Sequence, residues 1–507
     1  MRRVITHTLV VTGEPGEALE DVDVEVADGR IVAIGPGLGV GADPAEVIDG
    51  RGMIALPGMV NVHVHGVTPG PLMPSGGQSL PRWQWLANLD RHLLQGTTAV
   101  LNLCGLTTMG QVRVADAAHP VRVGGATTHE PQALAAARAA DGVGITADVA
   151  ATTVAEQVAQ GAVAIGELGG GQTLAGGGQD VVYIPAAFAT RHGLAVEAEQ
   201  ARILKEAVLG RTLEWVDNGR AADAPAAADR AAAALAACGL AGRVEPGAVV
   251  ALVHDVVLPS LAPALAGIRE GIRLAAEHGL PAFVHSAAVT GSLLTGLAAT
   301  PTAARVVACH VNHPSYTPEE AAAMVRLGRS AGWTNEACVL DLLDQRAMVT
   351  TRDHWDAVLD TGAVDVIASD YGPGGRHDGP MHAVRDLVDS GRLALADAVV
   401  LVSSAPADLV PGLTPARGRL RPGGPADLVL VARGDLTAVR VVLVDGQVVA
   451  RDGRTTYEPP VPFLSPSEFA RLEATVGRDL ALHDEVEVAV AYDSFRDRAA
   501  ALRCWSA

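Results

Sequence analysis

Lysine is almost missing from this chain: Lys205 is the only one in 507 residues, and arginine carries nearly all the positive charge. Alanine is abundant at the same time, and the pairing reads as a base-composition bias rather than as chemistry. Cysteine is scarce. The five present (Cys104, Cys238, Cys309, Cys338, Cys504) are scattered, odd in number and without Cys-x-x-Cys spacing. That excludes a disulfide framework and is expected of a reduced, cytoplasmic protein. No apolar run approaches the ~20 residues of a membrane span, and Met1-Arg2-Arg3-Val4 leads into a strand pattern rather than a signal peptide's apolar core. Nor is there a surplus of basic charge: a net charge of −19 argues against a nucleic-acid partner and against an anionic membrane surface.

What the chain does have is a hydrophobic content of 49%, enough for a large core. Its first part alternates short strand patterns with turns, as in Val22-Asp23-Val24-Glu25-Val26 followed by the hairpin signal Asp28-Gly29. The same texture returns at Ala426-Asp427-Leu428-Val429-Leu430-Val431 and at 441–449. Between these ends, apolar strands alternate with helical stretches. The pattern predicts an α/β fold: a (β/α)8 TIM-like barrel with a small β-sandwich formed by both ends of the chain. Barrel strands are expected at about 59–66, 98–104, 121–127, 161–167, 281–286, 305–311, 337–341 and 364–370. The expected domains are 1–57 plus 405–455 for the sandwich, 58–404 for the barrel, and 456–507 as an extension without assigned chemistry. Glu167 and His285 are 118 residues apart. A βα unit takes about 30, so an insertion is expected at about 172–250, on the catalytic face of a barrel.

The chemistry begins at Leu56-Pro57-Gly58-Met59-Val60-Asn61-Val62-His63-Val64-His65-Gly66. Alternate residues of a strand share a face, so both imidazoles can converge on one metal ion. Alone the pair is weak, since 16 histidines in 507 residues generate His-x-His about 0.5 times by chance. Its company is what counts. Four further strand-like runs end in Glu167, His285, His310 and Asp370, and barrel enzymes place their catalytic groups at such ends. Four histidines and two carboxylates can hold two divalent ions, with His63 and His65 on one, His285 and His310 on the other and Glu167 between them. Metals so held acidify a bound water. Asp370, also a candidate ligand, would then carry its proton to the leaving nitrogen.

These residues resemble the amidohydrolase superfamily. The stretch 57–65 is similar to its strand-1 signature, with Asn61 where Asp is usual. Gln95-Gly96-Thr97-Thr98 is similar to its strand-2 element, and 420–429 to its C-terminal return. Many members bridge their metals with a carboxylated lysine on strand 4. Here Glu167 takes that place, because Lys205 falls in a helical stretch of the insertion. Gly166-Glu167-Leu168-Gly169, His285-Ser286, Cys309-His310-Val311-Asn312 and 369–374 resemble the enamidase branch most. The resemblance implies zinc or iron, a glutamate bridge and hydrolysis of a ring C–N bond in a cyclic amide. It also implies a homo-oligomer, a dimer or tetramer, acting on a small molecule. One departure is Cys104, placed like the metal-bridging cysteine of D-aminoacylases; a buried apolar role competes with that of ligand.

For the substrate, the loops after the strands offer Ser286, Asn312, Tyr371 and Arg376, the last as a carboxylate clamp. His129, Gln172, Trp333 and Asn335 lie on similar loops. His313, three residues beyond His310, is the candidate second catalytic group that polarises a carbonyl. Gly169-Gly170-Gly171 is no phosphate loop, since no Lys-Ser/Thr follows. Three other functions fit less well: an N-acyl amino acid deacylase acting on linear amides, a heterocycle deaminase, and a non-catalytic scaffold. The scaffold reading suffers most, because none of the six candidate ligands is missing.

Overall fold

The structure, a computed structural model, describes residues 2–38, 46–170, 172–174, 177–214, 216–217, 220–221, 224–300, 302–339, 352–370 and 379–457. Eight parallel strands form one sheet in which each pairs with the next in chain order. They are Met59–Val64, Thr97–Asn102, Arg122–Thr127, Ala164–Leu168, Pro281–His285, Arg305–Cys309, Thr334–Cys338 and Val366–Ala368. Nearly every residue in them is buried, which is what a parallel sheet covered by helices requires of its strands. The comparatively apolar, unalternating runs of the sequence have this origin.

The sheet curls into a barrel whose first and eighth strands meet at a seam. No backbone ladder joins these two strands among the described residues, and other bonds close the gap. Val60 N–H donates to Val402 O, and Ile367 N–H to the adjacent Leu401 O, both at 2.9 Å. Next to Val60 on the first strand, the Asn61 amide donates to Ser369 Oγ at 2.7 Å and accepts from Ser369 N–H at 3.1 Å. Asn61, which stands where the family pattern has Asp, thus ties the first strand to the residue before Asp370.

The two ends of the chain build a separate nine-stranded sheet. Its centre is the antiparallel pairing of Met53–Pro57 with Leu428–Ala432, which brings the N-terminal and C-terminal segments together. The sheet folds over a core that includes Ile5, Val24, Val26, Ile31, Leu428, Leu430 and Leu443.

Between the fourth and fifth barrel strands lie the helices Ile184–His192, Ala198–Leu209, Ala224–Ala237 and Pro246–His278. The last runs unbroken through position 250, where the insertion was expected to end. It is long and apolar enough to cross a membrane, which corrects the expectation that no apolar run approaches that length. In the fold it is a packing helix: Val249, Leu252, Val253, Val257, Leu261, Ile268 and Ile272 are buried, and Ile268 and Gly271 lie against Gly169 and Leu168. Lys205 and Asp180 form a buried ion pair within the insertion, with Nζ 2.7 and 2.8 Å from the two carboxylate oxygens.

The seventh strand differs most from expectation. It occupies Thr334–Cys338, about three residues earlier than the predicted 337–341. Thr334, Asn335 and Glu336 are polar, so the strand carries no apolar run to announce it. Residues 458–507, most of the expected C-terminal extension, lie outside the described residues.

Candidate metal centre

Each candidate ligand sits at the C-terminal end of its strand, and the curl of the barrel brings them together. His63 and His65 are at the end of the first strand, Glu167 in the fourth, His285 in the fifth, His310 just past the sixth and Asp370 just past the eighth. All are buried. Gly166 sets the approach of Glu167. Its φ is 151°, and a Cβ there would lie 2.7 Å from the Phe283 Cβ on the neighbouring strand, so only glycine fits. His310 and Asp370 both hold positive φ, at 35° and 49°, an uncommon conformation for residues with side chains. Such conformations cluster at functional sites.

Glu167 lies between two pairs of histidines. Its Oε1 is 2.7 Å from His285 Nδ1 and 3.0 Å from His310 Nε2. Its Oε2 is 3.8 Å from the Nε2 atoms of both His63 and His65. On the far side of that second pair, Asp370 Oδ1 is 3.4 Å from His63 Nε2 and 3.5 Å from His65 Nε2. Burial opposes the charge of Glu167, but His285, His310 and His63 around it outweigh that and hold the carboxyl well below its usual range.

This donor set suits a divalent ion. His63 Nε2 is buried and makes no hydrogen bond among the described residues, while its other nitrogen is committed elsewhere. Among the groups of donor atoms that lie within ligand reach of one another are His63, His65 and Asp370, and His63, Glu167 and His310. Imidazole and carboxylate are both ordinary ligands of divalent ions.

Cys104 falls on the other side of His65. Its Sγ is 3.4 Å from Nδ1, the nitrogen that faces away from Glu167, and it donates to Leu72 O at 2.6 Å. It therefore abuts a candidate ligand and does not stand between the two histidine pairs.

His313 packs its ring against His285 and His310, with centroids 5.3 and 5.2 Å away. Its Nδ1 accepts from Ser315 N–H at 3.1 Å and lies 2.7 Å from Ser315 Oγ. A nitrogen that accepts a backbone proton carries none itself, so the neutral ring is protonated at Nε2. Ser315 is held in turn by the insertion: Arg211 donates to its carbonyl at 2.9 Å and grips Glu320 bidentately at 2.6 and 2.7 Å.

The expected substrate residues fare unevenly. Ser286 Oγ meets Tyr316 OH at 3.0 Å. Asn312 uses both ends of its amide on the backbone of Cys338, so it clamps the end of the seventh strand. Asn335 and Trp333 sit at the opposite, N-terminal end of that strand, and Asn335 donates to Val325 O and Ala363 O. Neither faces the cluster. The Gln172 side chain accepts from Ser75 Oγ at 2.9 Å. His129 is buried beside Thr127, and burial pushes its pKa down to about 4, so its ring is neutral. Tyr371 and Arg376 lie outside the described residues.

One buried carboxylate escaped the sequence reading. Glu336, within the seventh strand, lies 2.8 Å from His63 Nδ1. The histidines around it hold it below the usual range although burial pushes the other way.

No protein-family model matches the chain. An allantoinase from Rubrobacter xylanophilus is 42% identical over 81 residues, which make up 16% of this chain and 15% of that protein. A dihydroorotase from Mycobacterium tuberculosis is 51% identical over 51 residues, 10% of this chain and 12% of the other. Each match thus spans only a small part of the relative's own length. The fold extends further. A β-aspartyl dipeptidase from Fervidobacterium islandicum AW-1 superposes with a TM-score of 0.53 at 15% identity, covering 91% of this chain and 100% of that one.

Proposed function

We propose, from the premise that this chain belongs to the amidohydrolase superfamily, that it hydrolyses a C–N bond inside a cyclic amide: a lactam, enamide or imide. The observation that carries this reading is the position of Glu167, with one oxygen toward His285 and His310 and the other toward His63 and His65. Those five residues and Asp370 would hold two divalent ions, zinc or iron. Bound there, such ions supply Lewis acidity and lower the pKa of water toward neutrality.

The protein's own groups do the rest. Asp370 Oδ1, beside both His63 and His65, accepts the proton of the attacking water and delivers it to the ring nitrogen as the C–N bond breaks. His313, protonated at Nε2, donates a hydrogen bond to the substrate carbonyl oxygen and stabilises the charge that develops on it. Ring opening adds one water and yields one product. The relatives named above act, by their names, on allantoin and dihydroorotate, which makes those two rings the first probes. The same reading includes a homo-oligomer working in the cytoplasm.

The test is metal content by elemental mass spectrometry, for wild type and Glu167→Ala, with mass analysis of reactions on allantoin, dihydroorotate and simple lactams. About two ions per chain, fewer in the variant, and a single product heavier by one water are expected. Two fragments would favour the deacylase reading and released ammonia the deaminase. No metal after reconstitution would overturn hydrolysis at this site.

A further inference from the structure

We infer that Glu336 is a positioning residue of the metal centre: a buried carboxylate that fixes the tautomer and orientation of His63 and ties the first barrel strand to the sixth. The inference rests on the metal-centre reading above. Glu336 and His63 are both fully buried. The Glu336 Oε1 atom takes three donors from three places. His63 Nδ1–H approaches at 2.8 Å from the first strand, His310 N–H at 3.4 Å from the end of the sixth, and the Cys338 thiol at 3.1 Å from its own strand. The opposite oxygen, Oε2, is buried without a hydrogen-bond partner among the described residues.

An imidazole that donates from Nδ1 keeps its lone pair on Nε2. In His63 that atom is the one facing Glu167 and Asp370. The negative charge of Glu336 behind the ring also makes Nε2 a stronger donor toward a cation. Its contact with the His310 amide falls where the backbone holds its positive φ, so one carboxylate helps fix a candidate ligand from each histidine pair. Asn312, which holds Cys338 by both backbone groups, fixes the end of the strand that carries Glu336. His63, Glu336 and Cys338 are also mutually close enough to share an ion. The 2.8 Å contact favours a hydrogen bond instead, because a cation there would have to displace the proton between Nδ1 and Oε1.

The experiment is a titration of the metal-stripped full chain with Zn2+ or Co2+ against a chromophoric chelator, for wild type, Glu336→Gln and Glu336→Asp. Glu336→Gln keeps an acceptor for Nδ1–H but loses the charge. The expected result is unchanged stoichiometry with affinity lower by about 10- to 100-fold. Glu336→Asp restores the charge at shorter reach, and its affinity is expected between the other two; it serves alone should Glu336→Gln not fold. The Co2+ absorption spectrum should shift in both variants, a response that a residue serving only to fill the core would not give. Affinity and spectrum unchanged in the variants would overturn the inference and leave the metal centre standing. The loss of one ion per chain would make Glu336 a ligand and overturn the positioning role. A wild-type chain that binds neither Zn2+ nor Co2+ would overturn the metal-centre reading itself.

Discussion

The one lysine of the chain can report on its own burial. Lys205 and Asp180 are 5% and 1% exposed, and the ammonium sits 2.7 and 2.8 Å from the two carboxylate oxygens. An amine-reactive ester reaches Lys205 only when this part of the insertion opens, so the native labelling rate measures an opening equilibrium. Asp180→Asn leaves the ammonium buried without its counter-charge. Breaking a buried pair from one side costs about 3–5 kcal/mol. At about 1.4 kcal/mol per factor of ten, the open population should rise by roughly 10²- to 10³·⁵-fold. The assay is a short labelling pulse followed by mass analysis of the peptide bearing Lys205, for native wild type, native Asp180→Asn and the denatured chain. Wild type is expected to label far more slowly than the denatured chain, with the variant between them. Equal rates for wild type and variant would refute the reasoning, as would a native wild-type rate matching that of the denatured chain.

Asp370→Asn should keep its metal and lose turnover by about 10²- to 10⁴-fold, the usual contribution of a positioned proton-transfer group; elemental analysis and rate measurement on the same sample check both. Asparagine tolerates the positive φ of 49° at that position, so the variant is expected to fold. His92, fully buried, has its pKa pushed down to about 3 by burial, with Arg91 and His119 adding to the effect. The unfolded chain therefore binds a proton near the ordinary value of 6.5 that the folded chain refuses. Its contribution to stability is complete above pH 6.5 and is lost as pH falls toward 3, by an amount on the order of several kcal/mol. In His92→Leu the fall in urea midpoint between pH 7 and pH 4.5 should be smaller than in wild type; equal falls would remove His92 as a source of acid sensitivity.

Seven of the eight barrel strands were legible in the sequence because a strand buried on both faces must be apolar, and that constraint is local. The candidate ligands were legible for a related reason: a barrel gathers the ends of its strands, so a polar residue closing an apolar run is marked by position alone. His63, His65, Glu167, His285 and His310 could all be singled out without knowing what they touch. The seventh strand showed the limit of this signal. Its Asn335 and Glu336 serve the fold and the site rather than an apolar layer, so the run that should have announced the strand was absent, and Glu336 went unread with it.

What the linear sequence determined, then, is the strand succession and the residue types at the strand ends, since both follow from periodicity and burial. Tertiary structure alone decided how those residues are used. Glu336 meets His63 across 273 residues of chain, and no spacing rule reaches that far. Only closure of the barrel turns Nε2 of His63 toward Glu167, sets Cys104 behind His65, and gives Ser369 to Asn61 at the seam. The same holds for Lys205, whose place in a helix was readable but whose partner Asp180 was not. A side chain's neighbours across a barrel depend on how separate strands come together, whereas its place on a strand depends on the few residues beside it.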